Sequence, residues 1–397
     1  MSSDRAALLW DESYIWGLMA YRSLRDNGLA FDLISAEDIK AGALAGYGTL
    51  MVPGGWASNK IEALGPGGSE AIREFVTGGG SYVGICGGAG LATSDGLGLV
   101  SISRRPTSQR VPSLSGPVRL ALREHPVWEG AGEPVFNVWW PSQFVLEDTS
   151  ISVLAEFGSA TDDAMSSDLR VGDIDDWSGY EEAYGLNLDP SRMSGEPVVI
   201  EARSGRGRAL LSLVHFDTPG DTRGGRVLRN IWKYTGAGLS SGISPVHPPR
   251  KEPQGALFDA ARRPFELGLE RALWHRRGYL IGWRRGVRGL EYFTLYALAR
   301  ELGALGADTP EESSALVPEI EEFSLKACQL LTLEHEALGR GEGITFRKAS
   351  GADMASLRSE LFSSSKSHGG RFRYILGRLD SMLFRALRNN HLASGNP

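Results

Sequence analysis

Cysteine is nearly absent from this chain of 397 residues, which holds only Cys86 and Cys328. Two thiols cannot build a disulfide scaffold, and their scarcity fits a reducing, cytoplasmic setting. Long apolar runs are missing too: no stretch approaches the roughly 20 residues that span a bilayer, so no transmembrane segment is expected. The N-terminus, Met1-Ser-Ser-Asp-Arg5, enters the apolar stretch Ala6-Ala-Leu-Leu-Trp10 directly. With no charged leader followed by a long apolar segment, no signal peptide is expected. Calcium-loop spacing is also lacking. The acidic stretch over residues 161–195, with Asp162, Asp163, Asp168, Asp173, Asp175, Asp176, Glu181 and Glu182, does not follow Asp-x-Asp-x-Asp-Gly. We read it as a solvated surface loop between late strands, placed to fold over a cavity as a lid. No metal site and no cofactor are expected.

Charge is spread unevenly. The net charge of −6 divides into 21 Lys and Arg against 30 Asp and Glu over residues 1–250, and 21 against 18 beyond them. Two domains of different character are implied, and with 42% hydrophobic residues the chain is long enough to give one of them a substantial core. The boundary is legible in Gly236-Ala-Gly-Leu-Ser-Ser-Gly-Ile-Ser-Pro-Val-His-Pro-Pro-Arg-Lys-Glu-Pro253, a Gly/Ser/Pro stretch that cannot hold a helix. Residues 1–240 form the expected first domain, 241–253 a linker and 254–397 the second domain.

In the first domain the pattern alternates. Strands are expected at 6–10, 30–35, 48–52 and 81–85, with helices near 14–27 and 68–78. This predicts an α/β, flavodoxin-like doubly wound fold with a largely parallel sheet. The glycines over residues 84–98 fit a dinucleotide fingerprint poorly, because they follow a late strand and no acidic residue is placed for a ribose.

The chemistry centres on Ser81-Tyr-Val-Gly-Ile-Cys-Gly-Gly-Ala-Gly90, where a β-rich run drives into a glycine-flanked cysteine. A sharp strand-to-helix turn requires such glycines, and it presents Cys86 as a nucleophile elbow. The N–H groups at the start of the following helix favour thiolate and supply half of an oxyanion hole. Upstream, Thr49-Leu-Met-Val-Pro-Gly-Gly55 ends a strand in a bare-backbone loop that can supply the other half. Downstream, Arg208-Ala-Leu-Leu-Ser-Leu-Val-His-Phe-Asp217 delivers His215 as a base with Asp217 to orient it. All three groups fall at strand C-termini, where open α/β sheets place their ligand crevice. The candidate site is therefore Cys86, His215 and Asp217 for catalysis, with Gly54, Gly55, Gly87 and Gly88 for the oxyanion and substrate. Arg104, Arg105 and Arg110, in a polar loop after the elbow, can bind an anionic group, though a solvated loop is the preferred reading. Of Trp139 and Trp140, at most one lines the site. His125, before a proline, reads as structural.

These elements resemble the class I glutamine amidotransferase-like superfamily, and most closely the domain at the N-terminus of eukaryotic biotin-protein ligases. The segment Gly65-Pro-Gly-Gly-Ser-Glu-Ala-Ile-Arg-Glu-Phe-Val-Thr-Gly-Gly-Gly-Ser-Tyr-Val-Gly-Ile-Cys-Gly-Gly-Ala-Gly90 carries the match, and residues 206–235 fit the family's final strand and helix. The resemblance covers residues 5–237. It implies a cysteine-dependent amide or acyl hydrolase or transferase acting on a small molecule. Two departures stand out. Glutamine-hydrolysing members carry His-Pro-Glu where this chain has His215-Phe216-Asp217, and a glutamine where it has Gly90. Little hydrolysis of free glutamine is expected, and a non-catalytic module that keeps the fold to bind a ligand or partner is the alternative.

The second domain is expected to be all-α, with helices over 258–283, 290–302, 316–338, 354–362 and 372–392. Its first two helices carry Arg262, Arg263, Arg271, Arg276, Arg277, Arg284, Arg285, Arg288 and Arg300 against Glu266, Glu270 and Glu291. A protein partner is expected there, or a charged face docked on the first domain. Nucleic acid is disfavoured, because neither a recognition helix nor stacking aromatics accompany the arginines.

Overall fold

A computed structural model describes residues 4–239, 253–277, 279–307, 313–364 and 368–394. The chain divides into two compact units, Met1–Val246 and His247–Pro397. The expected linker, 241–253, lies almost wholly outside the described residues.

The first unit begins with β1 (Ala6–Leu9), α1 (Tyr14–Asp26), β2 (Phe31–Ile34), α2 (Ala36–Lys40), β3 (Thr49–Val52), α3 (Ala57–Thr77), β4 (Ser81–Ile85) and α4 (Gly87–Leu91). β1, β3 and β4 are buried along their whole length. Continuous burial marks parallel strands covered on both faces. The chain moves from β1 outward to β2 through α1, then in the opposite sense from β3 to β4 through α3. Right-handed crossovers put these two helices on opposite faces, which makes the unit doubly wound. α3 starts earlier than its sequence pattern suggests and breaks at Gly65 (φ 60°, ψ −173°), just before Pro66. The second segment is the helix expected at 68–78.

Next come β5 (Ile102–Arg104), β6 (Leu114–Leu122), β7 (Val135–Trp139), β8 (Phe144–Leu146), β9 (Ser152–Ala160), β10 (Met165–Ser166), β11 (Leu169–Arg170), α5 (Ser178–Tyr184), β12 (Pro197–Ser204), β13 (Gly207–Ser212) and α6 (Thr222–Thr235). The 11-stranded sheet runs β11-β10-β6-β9-β12-β13-β4-β3-β1-β2, with β7 added to β6. From β2 to β13 the pairings are parallel, and beyond β13 they are antiparallel. The register decides the site. Val52 pairs with Gly84 and Ser212 with Ile85, so β3, β4 and β13 end level and discharge their next residues side by side.

The acidic stretch over 161–195 is not a plain loop. It contains β10, β11 and α5, and its carboxylates find local arginines: Arg170 meets Asp163 at 2.9 Å and Asp173 at 3.0 Å, and Arg192 meets Glu181 at 2.7 Å. Pairing within the segment lets so many acids share a folded surface.

In the second unit helices span Ala256–Glu270, Gly289–Leu305, Val317–Gly339, Gly351–Phe362 and Gly370–Ser394. The helix expected over 258–283 ends at Glu270, and Trp274–Arg277 pairs with Leu280–Trp283 as a hairpin. The reason is visible at Trp274, whose ring lies where a Cβ on Gly268 would be and whose Nε1 donates to the Phe265 carbonyl at 3.1 Å. Burying that indole stabilises by about 2–3 kcal/mol, more than another turn of exposed helix would. Arg262 and Arg263 are paired with Glu266 and Glu270, and Arg288 is buried against Glu291. Part of the arginine stripe is thus spent inside the unit. Among the described residues no helix is long and apolar enough to cross a membrane.

Candidate active site

β4 delivers Cys86 into a turn with φ 52° and ψ −104°, a strained conformation for a residue with a side chain. The turn is held by close backbone packing. A Cβ on Gly87 would lie 1.8 Å from the Gly55 carbonyl oxygen, and one on Gly88 would lie 1.9 Å from that of Val52. Only glycine fits at either place. The Pro-Gly-Gly loop after β3 therefore rests directly on the elbow, with Gly55 at φ +117°. Among the described residues the N–H groups of Gly55 and Gly87 have no acceptor. Cys86, Gly55 and Gly87 are half-buried, whereas Gly54 and Gly88 are buried. α4 has five residues, so its dipole is small and the helix adds less to the sulfur's electrostatics than the sequence suggests.

His215 sits beyond the end of β13 rather than within it. Ser212 turns the chain: its Oγ donates to the Val214 carbonyl at 2.7 Å and accepts from the Val214 N–H at 3.1 Å. The His215 N–H then donates to the Asn137 carbonyl on β7 at 2.7 Å, and the Cys86 N–H donates to the Ser212 carbonyl at 2.7 Å. His215 and Asp217 are both 0% exposed, with Nδ1 and Oδ1 2.9 Å apart. The carboxylate accepts, so Nδ1 carries hydrogen and Nε2 is left for other work. Burial, the largest single influence on the imidazole, lowers its pKa. Asp217, by charge and hydrogen bond, and the adjoining Cys86 sulfur together outweigh it and push the pKa up to about 10. Among the described residues Nε2 itself has no partner in hydrogen-bond geometry. Catalytic hydrogen bonds often align only when substrate is bound.

Near the elbow stand Trp139, which the sequence marked, and Trp16, Trp56 and Lys60, which it did not. Sγ lies 3.7 Å from the Trp139 carbonyl oxygen, to which the thiol donates. The Trp139 ring packs at 5.4 Å on Trp16, which in turn packs on Trp56 at 5.2 Å. The indole N–H groups of Trp16 and Trp139 are buried without an acceptor. Trp140 leaves the strand with φ 51° and is less buried. Lys60 is fully buried beneath the Pro-Gly-Gly loop, its Nζ donating to the Asp11 carbonyl at 2.9 Å. A lysine within a helical stretch gives no sign of such a position.

Of the three loop arginines, Arg105 pairs with Glu196 at 3.0 Å. Arg104 reaches over Gly90, its Nη1 3.4 Å from where a Cβ would be. Arg110 donates to Ser142 Oγ and Thr107 Oγ1, both at 3.2 Å. Burial and the Arg104 charge lower its pKa, while the Cys86 sulfur acts in the opposite sense. His125 accepts from the Val127 N–H at 3.3 Å and packs on Tyr234 at 4.9 Å, a structural role.

No protein family and no curated protein matches the chain. Solved structures it resembles include a β-galactosidase from Bacillus circulans sp. alkalophilus, at 16% identity and TM-score 0.39, over 60% of this chain and 32% of that one. A GMP synthase protein from Thermoplasma acidophilum is similar at 12% identity and TM-score 0.38, over 58% of this chain and 94% of that one. A ThuA-like protein from Bacteroides uniformis is similar at 13% identity and TM-score 0.39, over 62% and 96%. The chain thus spans about a third of the β-galactosidase. Likenesses this slight carry nothing about chemistry.

Proposed function

We propose that the first unit is a cysteine-dependent amide or acyl hydrolase or transferase, of the class I glutamine amidotransferase-like kind, acting on a small molecule. The observation that carries this reading is the convergence of Cys86 with the buried His215–Asp217 pair, from the level ends of β4 and β13. Cys86 Sγ attacks the acyl carbon and His215 takes the thiol proton. The carbonyl electron pair moves onto oxygen, held by the N–H groups of Gly55 and Gly87. Collapse breaks the bond to the leaving amine or alcohol, which receives the proton from His215. Water, deprotonated by His215, then attacks the thioester, releasing the acid and restoring the thiol. With another acceptor in place of water the same sequence is a transfer.

The finer resemblance, to the biotin-protein ligase N-terminal domain, rests on the sequence from Gly65 to Gly90. Free glutamine is a poor candidate, since Gly90 offers it no side chain and Arg104 occupies that space. The competing reading is a binding module without catalysis, and the unbonded Nε2 of His215 favours it. For the second unit we propose a protein partner, met by its arginine-rich helices.

Alkylation separates the two readings. Burial pushes the Cys328 thiol up, so iodoacetamide at neutral pH should modify Cys86 at least about tenfold faster than Cys328, read by peptide mass spectrometry. His215→Ala should abolish the difference. Equal, slow labelling of both thiols in the folded protein would leave the binding module standing.

A further inference from the structure

We propose that the Cys86 site takes an acyl substrate bearing a negatively charged group, a carboxylate or a phosphate, and that Arg104 and Arg110 bind that group. The proposal rests on the reading of Cys86 as the nucleophile and adds what its substrate must carry.

Burial and then the Arg104 charge disfavour the charge on Arg110, on which the Cys86 sulfur acts in the opposite sense, and Arg104 borders the elbow at Gly90. Among the described residues neither has a carboxylate partner, although Arg105, beside Arg104 in the chain, is paired with Glu196 at 3.0 Å. Arg110 is tied down by neutral hydroxyls alone, Ser142 and Thr107, and its Nε is buried without an acceptor. Its loop is fixed as well, because Asn187 Nδ2 donates to the carbonyls of Ser108 at 3.2 Å and Arg110 at 3.3 Å. Arg104 is exposed, and its loop holds the half-buried guanidinium of Arg110 with neutral partners only. Like charges held together beside the elbow are balanced by an anion when the site is filled. Gly90 completes the arrangement. A Cβ there would lie 3.4 Å from Arg104 Nη1, so a long side chain at this position of α4 would compete for the guanidinium's space. Planar, forked donors suit a carboxylate or a phosphate oxygen pair, and an ammonium would not.

The test compares iodoacetate with iodoacetamide at Cys86, each rate measured by peptide mass spectrometry in folded and in urea-unfolded protein. Their ratio reads the local charge, whereas the iodoacetamide rate alone reads the nucleophile. Folded wild type should favour iodoacetate about tenfold over the unfolded chain. R104Q/R110Q should bring the ratio back to the unfolded value, and R105Q should not. A ratio that does not rise on folding, or that survives R104Q/R110Q, overturns the proposal. Should Cys86 resist both reagents, the nucleophile reading fails separately. The anion site is then judged by thermal unfolding with inorganic phosphate and with succinate: a rise in Tm in wild type that R104Q/R110Q removes supports it, and equal shifts in both proteins overturn it. The better of the two anions identifies the charged group.

Discussion

His215 finds its orienting carboxylate two residues along the same loop, so base and orienter are placed by one piece of backbone. This has a pH signature. An imidazole with an ordinary pKa of 6.5 that folding raises to about 10 binds more protons in the folded state than in the unfolded state between those values. Its contribution to stability is complete below about pH 6.5 and is lost as the pH climbs through about 10. In Asp217→Asn the Asp217 charge that raises the pKa is gone, while burial and the Cys86 sulfur remain, so this contribution to stability should shrink. Chemical denaturation of the two proteins at about pH 6 and about pH 9 should show their stability difference shrinking toward alkaline pH, and parallel curves would rule the coupling out. Cys86 reactivity should fall about 10³-fold or more in the same variant, because a neutral side chain does not hold the imidazole tautomer. Cys86, His215 and Asp217 were legible because each stands in a local pattern of its own, a glycine-flanked strand end or a histidine after an apolar run. Trp16, Lys60 and the Trp139 carbonyl were not. Trp16 on α1 and Lys60 on α3 pack on the Pro-Gly-Gly loop, and the Trp139 carbonyl arrives at the end of β7, contacts that nothing in their own segments announces.

At the scale of the element, the elbow is fixed by backbone against backbone. A methyl on Gly88 would need to displace Val52, the last residue of a fully buried strand. Gly88→Ala should cost about 3 kcal/mol or more in urea unfolding, while Gly67→Ala, with nothing within 4 Å of its Cβ, should be close to neutral. Equal costs would mean that the elbow relaxes freely. The parallel strands were readable from their apolar runs. The antiparallel extension from β6 to β12 was less so, since its strands alternate buried and exposed positions and break at irregular registers. The hairpin at Trp274 reads as helix in the sequence, because arginines and aromatics at three- and four-residue spacing satisfy either period until the indole's partner is known.

For the molecule as a whole, the strands of the large sheet end at Ser212, and among the described residues the second unit holds helices and a hairpin. Limited proteolysis should cut first within residues 241–253, where glycine, serine and proline prevail. A chain ending near residue 240 should retain a cooperative unfolding transition with near-ultraviolet circular dichroism. If that shorter chain is molten, the helices complete the core of the first unit, and their proposed partner-binding role loses its support. Changes of composition, of charge sign and of apolar period coincide near residue 245, and the chain divides into compact units after Val246.

The two hydrogen bonds that flank the site, from the Cys86 N–H to the Ser212 carbonyl and from the His215 N–H to the Asn137 carbonyl, lie at the two ends of one short segment running from the end of β13 to His215. A local opening that frees that segment should break both together, parting nucleophile and base, so the site should open as one unit.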